Sequence, residues 1–161
     1  MELRKAILPD FEVLYQLRCE DTNVRWTGHK EAPNKDNFQD WFIKTLNNPT
    51  RDIYLYWEDN ICIGYLYVDT IASKQYEIAY GISECYQGKG YATLMIAECL
   101  RQIEKMEGVK SVAAYISEHN KASQRVAQHN KFKKTEECYF ADLPLMNGQQ
   151  KFQKWIYEFE I

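Results

Sequence analysis

Gln87-Gly88-Lys89-Gly90-Tyr91-Ala92-Thr93 is the stretch on which the reading of this 161-residue chain turns. Before it, residues 75–82 are rich in Tyr and Ile and predict a strand. After it, a helix is predicted over 90–107. Ala92, Met95, Ile96, Cys99, Leu100, Ile103 and Met106 recur there mostly at steps of three and four, and Gly108 is a natural stop. Glycines between a strand and a helix let successive backbone N–H groups turn toward one anion, and the helix adds the positive end of its dipole. Such a cradle holds a pyrophosphate without a cationic side chain. The plain alternative is a tight strand-to-helix turn. Two nucleotide-binding patterns fail on detail: there is no G-x-x-x-x-G-K-[S/T], and no G-x-G-x-x-G followed by a ribose-binding acid.

Working outward, residues 2–7 predict a strand, and Asp10 is placed to cap a helix running to about Arg18. Residues 21–35 are polar and read as irregular, with Pro33-Asn34 as punctuation. A helix over 36–46 carries Phe38, Trp41, Phe42 and Leu46, which read as core, and Asn47-Asn48-Pro49 ends it. Strands follow at 52–58 and 61–69, joined by Asp59-Asn60 as a hairpin turn. Beyond the long helix come a strand over 109–116, a helix over 121–131, a strand over 132–139 and a last strand over 152–161. That order predicts a mixed α/β sheet, antiparallel early and crossing over helices late.

The bulk properties fit one domain over 1–161. The chain is 45% hydrophobic and 27% charged, within the globular range. A net charge of −3 supplies no basic field for nucleic acid. Five cysteines without a C-x-x-C, and three histidines, form no recognised zinc spacing, so no metal is expected and the thiols read as reduced and mostly packed. Neither a signal-peptide stretch nor an apolar run of membrane length is seen, so a cytoplasmic protein without a membrane span is expected.

The Gln87–Thr93 stretch resembles the Q/R-x-x-G-x-G/A motif of the GNAT acetyltransferases, as Gln87-x-x-Gly90-x-Ala92. About thirty residues on, Asn120-Lys121-Ala122-Ser123 opens a segment ending in Lys131-Phe132 that resembles the family's second motif, N-x-x-S/A, a helix and a G-F pair. The resemblance extends over essentially the whole chain and favours the RimJ/RimL-like branch. It rests there on Asn23-Val24-Arg25-Trp26, on 33–41, on Ser123-x-Arg125-Val126-Ala127 and on Asn147-Gly148. It implies the GNAT fold: a single mixed, mostly antiparallel twisted sheet with helices on both faces, and a splayed strand pair that admits acetyl-CoA. It also implies a transfer of the acetyl group to a primary amine by direct attack in a ternary complex. Protein N-termini, including those of ribosomal proteins, and small amines such as aminosugars or antibiotics are all acceptors the resemblance allows. A non-catalytic acyl-CoA-binding or interaction module is the reading from another class. Relatives often pair through their late strands, so a homodimer is an expectation of the resemblance and not of the residues.

The resemblance also distributes roles. Backbone N–H groups near Ile82 and Ser83 would hold the acetyl carbonyl, and Gln87, Gly88, Lys89, Gly90, Tyr91, Ala92 and Thr93 the pyrophosphate, with Asn120 and Ser123 also on the cofactor. Glu77, in Tyr76-Glu77-Ile78, stands where many relatives carry a catalytic or water-coordinating glutamate; an exposed strand carboxylate is its plain alternative. Asp142 is a second candidate base. The amine must be neutral to attack, so its proton must go to such a group or to water. The tyrosine that many relatives place in the second motif is replaced by Ala127, and the glycine of G-F by Lys131. The RimJ/RimL-like resemblance instead implies Ser123 as a donor to the leaving thiolate, with a helix cap as its plain role, and Tyr139 is a third possibility. Trp26 and His29 lie in a loop that borders the acceptor in relatives.

Overall fold

The computed structural model describes residues 1–160. In chain order the elements are β1 (Glu2–Lys5), α1 (Phe11–Cys19), α2 (Asp21–Arg25), α3 (Lys35–Leu46), β2 (Arg51–Glu58), β3 (Ile61–Ala72), β4 (Gln75–Ile82), α4 (Tyr91–Glu104), β5 (Ser111–Ser117), α5 (Lys121–His129), β6 (Lys133–Leu143) and β7 (Gly148–Glu158). The strands form one sheet in the order β1-β2-β3-β4-β5-β7-β6. Among the described residues only β4 and β5 run parallel, joined by α4 as the crossover.

Both faces of the sheet are covered because the central strands alternate two apolar sets. Ile53, Leu55, Tyr65 and Tyr67 face one way and pack on Phe11, Leu14 and Phe42 of α1 and α3. Tyr54, Tyr56, Leu66 and Val68 face the other way and pack with Met95, Ile96, Cys99 and Ile103 of α4 and Ala127 of α5. Phe38 and Trp41 stack within the first layer at 5.0 Å between ring centroids, as expected of core residues. Among the described residues no helix is long and apolar enough to cross a membrane.

Several boundaries differ from expectation. The long helix ends at Glu104 rather than 107, and the following strand starts at Ser111. The last strand begins at Gly148, four residues before the expected start, because Gln149 to Lys151 pair with Asp142 to Phe140 of β6. Its expected end at Ile161 lies outside the described residues. The segment read as irregular contains α2. Asp10 does not cap α1 with its side chain; the carboxylate accepts instead from the Ile7 N–H at 2.8 Å and pairs with Arg4. All five thiols are unpaired, but Cys85 and Cys138 are exposed rather than packed.

Candidate active site

Parallel pairing of β4 with β5 covers only Gln75↔Ser111, Tyr76↔Val112 and Glu77↔Ala113. Beyond that register the strands part. The gap becomes a cavity of about 830 Å³ walled by Ile78 to Ile82 on one side and Ala114 to Ser117 on the other. One end of it reaches Gln87, Gly88, Gly90, Tyr91, Ala92 and Thr93.

That end is built by backbone geometry. Gly88 and Gly90 have φ of 72° and 86°, and a Cβ at either would meet nothing within 4 Å. Glycine is required there by conformation rather than by crowding. Gly90 stands at the N-cap of α4 with no side chain capping the helix. The N–H groups of the first turn, Tyr91 to Thr93, thus have no acceptor within the helix and face the cavity end. Lys89 turns back, its ammonium donating to the Cys85 carbonyl at 3.2 Å, and leaves the wall to the backbone. Gln87 donates from Nε2 to the Ile82 carbonyl at 3.3 Å and so fixes the loop to the end of β4. Lys121 and Arg125 also line the cavity, and among the described residues no Asp or Glu does. The slot, the free amides and the unopposed cations suit a long ligand with phosphates at one end, as acetyl-CoA is.

The sheet's hydrogen-bond alternation orients the groups beside the slot. Ser83 gives its N–H to Ile63 on β3 at 2.8 Å and its hydroxyl to Glu20 at 2.9 Å. Both its donors are spent, so Ser83 drops out as a holder of the acetyl carbonyl. The alternation turns the N–H of its neighbour Ile82 to the opposite edge, which β5 has left.

Ser123 lines the cavity at the start of α5. The cap of that helix is Asn120, whose Oδ1 accepts from the Ser123 N–H at 3.1 Å. The cap role therefore does not engage the Ser123 hydroxyl. Ala127 is buried one turn further on.

The other side of the slot faces α2, where Trp26, Tyr65, Tyr67, Tyr115 and Phe152 form an aromatic wall. Gly81 allows this approach: a Cβ there would sit 2.6 Å from the Tyr65 ring and collide with the Asn23 side chain. Four hydrogen bonds latch the start of α2 to the turn after β4. Glu20 accepts from Ser83 and from the Glu84 N–H, while Glu84 accepts from the Thr22 N–H and hydroxyl, over 2.8–3.0 Å. Tyr65, Tyr67, Tyr115, Phe152 and Gly81 were not singled out in the sequence. Their aromatic and alternating pattern marked strands and could not say which face would border a gap.

The remaining candidates lie off the wall. Glu77 sits at the last paired register, opposite Asp69 on β3 and on the same face as Ala79. Burial and then the charge of Asp69 push its carboxyl above the usual range, against the pull of Arg51 and Lys154. Tyr139 stacks on Phe152 at 5.1 Å and packs against Tyr115, behind the aromatic wall and on the opposite face from Ser123. Asp142 is exposed on β6, and His29 is exposed beyond α2.

Residues 1–133 match the family model described as an acetyltransferase (GNAT) domain, and β6 and β7 complete the same sheet. Among curated proteins no sequence relative matches. Solved structures with the same fold include a spermidine N-acetyltransferase from Vibrio cholerae in complex with CoA and spermine. Its TM-score is 0.84 at 15% identity, over 98% of this chain and 94% of that one. A RimL ribosomal L7/L12 alpha-N-protein acetyltransferase in complex with coenzyme A gives 0.82 at 18% identity, over 97% and 92%. A ribosomal-protein-alanine N-acetyltransferase from Brucella melitensis gives 0.80 at 13%, over 99% and 100%. With the family model spanning most of the chain and the slot matching its co-substrate, the protein belongs to the GNAT acetyltransferase family and is an acetyl-CoA-dependent N-acetyltransferase.

Proposed function

We propose that the acceptor is a primary amine on a body without further positive charge, a peptide or protein N-terminus in the first place. The observation that carries this is the aromatic acceptor wall: Trp26, Tyr65, Tyr67, Tyr115 and Phe152 border the cavity, and among the described residues no carboxylate does. A single ammonium is well received by aromatic faces, each contact worth about 0.5–2 kcal/mol. A polyamine would bring further charges, each needing a carboxylate that the wall lacks. A small monoamine or aminosugar is the second reading, supported by the polar side chains of Thr22, Asn23 and Thr27 beside the aromatics.

In this reading the amine attacks the thioester carbonyl directly, and the carbonyl oxygen accepts from the Ile82 N–H. Glu77 lies two residues beyond the wall residue Ala79, roughly 6–7 Å along the strand. It takes the amine proton through water rather than by direct contact, and its raised pKa suits a base working near neutrality. Ser123 donates to the departing sulfur from the far side of the slot. Holding both reactants in line can itself contribute about 7–11 kcal/mol, so much of the rate comes from positioning.

The test is an acetyl-CoA turnover screen over peptides, monoamines, aminosugars and polyamines. The expected order places a peptide first and polyamines last. A clear preference for spermidine would overturn the acceptor assignment, and acetyl-CoA binding with no turnover on any amine would leave the non-catalytic reading.

A further inference from the structure

Three buried side-chain atoms among the described residues have no hydrogen-bond partner: Arg18 Nε, Trp57 Nε1 and Tyr80 Oη. Only Tyr80 belongs to a residue on the cavity wall. It lies on β4 three residues past the last paired register, on the face that packs against α4 and α5. Its other surroundings are apolar: Ile96, Ala114, Ile116, Val126 and Ala127 border the same small space. Burial pushes its hydroxyl up to about 12, and Ser123 is the one side chain that acts against that shift.

Leaving a buried hydroxyl unpaired costs about 1–3 kcal/mol, so its retention calls for an explanation. Packing gives none, since phenylalanine would fill the same space without the polar atom. Tyr80 and Ser123 line the same cavity from β4 and α5, and the Tyr80 hydroxyl makes no hydrogen bond of good geometry there. The small side chain of Ala127 leaves room on α5 for the Tyr80 ring arriving from β4.

We propose that Tyr80 is a positioning residue for Ser123: its hydroxyl donates to Ser123 Oγ, so that the proton of Ser123 points into the slot at the leaving sulfur. This rests on the placing of Ser123 at the sulfur in the preceding section. The amine nitrogen forms its bond to the carbonyl carbon, the carbon–sulfur bond breaks, and its electron pair stays on sulfur. The amine loses its proton to water or Glu77, and the thiolate later gains one from solvent. Tyr80 and Ser123 keep their protons throughout.

Tyr80→Phe, Ser123→Ala and the double variant are compared with wild type, using acetyl-CoA and the best acceptor of the amine screen. A hydrogen bond to a charged group corresponds to roughly 10–100-fold in rate, and Tyr80→Phe should lower kcat by that order or less. Affinity for acetyl-CoA should not change. Melting temperature should hold or rise, since an unpaired polar atom has gone. The double variant should be no slower than Ser123→Ala, because Tyr80 acts only through Ser123. With short acetyl thioesters of graded thiol acidity, the deficit of Tyr80→Phe should shrink as the thiol becomes a better leaving group. A structure of the wild-type protein with CoA should show the Tyr80–Ser123 hydrogen bond closed. Full kcat in Tyr80→Phe, additive losses in the double variant, or hydroxyls still apart in the CoA complex would each overturn the proposal. A wild type that turns over no amine would instead remove the catalytic reading beneath it. Tyr80→Phe slowed by a constant factor across the thiol series would overturn the proposal too, by showing a role away from the sulfur.

Discussion

Replacing Gly90 by alanine separates the two things a glycine can do in the loop before α4. Gly88, Gly90 and Gly148 all have positive φ, at 72°, 86° and 97°, and a Cβ at any of them would meet nothing within 4 Å. Alanine therefore costs the same kind of free energy at each, about 1–2 kcal/mol for an L-residue held in the left-handed region. For a chain of this size each kcal/mol lowers Tm by about 2–4 °C, so each variant should melt about 2–8 °C below wild type. Gly148 opens β7 away from the cavity and serves as the control, whereas Gly90 precedes the free amides of Tyr91 to Thr93. If the chain relieves strain at Gly90 by rotating the adjoining peptides, those amides turn from the phosphates. One hydrogen bond to a charged group, about 1.5–3 kcal/mol, corresponds to a Kd at least about tenfold weaker. Titration calorimetry with acetyl-CoA should show that loss for Gly90→Ala and wild-type affinity for Gly148→Ala, with similar melting losses. A folded Gly90→Ala variant that binds acetyl-CoA as tightly as wild type refutes the cradle.

Glu77→Gln should lower kcat/KM by about 10²–10⁴-fold in steady-state assays with little change in acetyl-CoA affinity. Burial, then Asp69, raises this carboxyl in the fold, so its stability contribution is complete below the unfolded pKa and lost as pH rises through the folded one. Glu77→Gln should thus melt above wild type at pH 7, and the difference should vanish below the ordinary glutamate range; a lower Tm at pH 7 would contradict this. Lys131 holds φ at 63° at the end of α5, and Lys131→Gly should raise Tm by about 2–8 °C by relieving about 1–2 kcal/mol. Turnover should survive exhaustive chelation, as no group of three His, Cys, Asp or Glu among the described residues could hold a metal ion; loss of activity restored by zinc or magnesium would refute that.

The parts of the site legible in the sequence are those made by backbone. Two glycines between a strand pattern and a helix pattern imply free amides, and the structure has that arrangement at Gly88 and Gly90. β2 and β3 were readable as strands from their Tyr, Ile and Val content, and the Asp59-Asn60 turn joins them at Glu58↔Ile61. By contrast α2 is five residues long and polar, and tertiary contacts hold it: Asn23 donates to the Leu17 carbonyl at 2.8 Å, and Glu20 and Thr22 engage the turn after β4. No local propensity reports such contacts. The start of β7 was hidden for a similar reason. Gln149 and Gln150 look like loop residues, and Gln150 is buried because Met146 and Ser117 satisfy its amide.

The second motif shows why side-chain roles were harder to read than backbone roles. Lys131 replaces the motif glycine, yet the helix ends as a glycine would end it. The Phe132 N–H reaches the Ala127 carbonyl at 2.9 Å and the Lys131 N–H reaches that of Gln128 at 3.0 Å, the paired bonds of a Schellman stop. The backbone keeps its path at a cost of about 1–2 kcal/mol, within what packing of α5 can offset. No such tolerance applies at Ala127, whose methyl group has no proton to donate. Any donor on this side of the slot is supplied by a neighbouring residue. Which neighbour does so depends on where β5 leaves β4, since that point decides which β4 side chains border the slot. The split follows from the pairing of the whole sheet. Tyr80, in the sequence only one more strand tyrosine, therefore acquires a polar role solely through the fold.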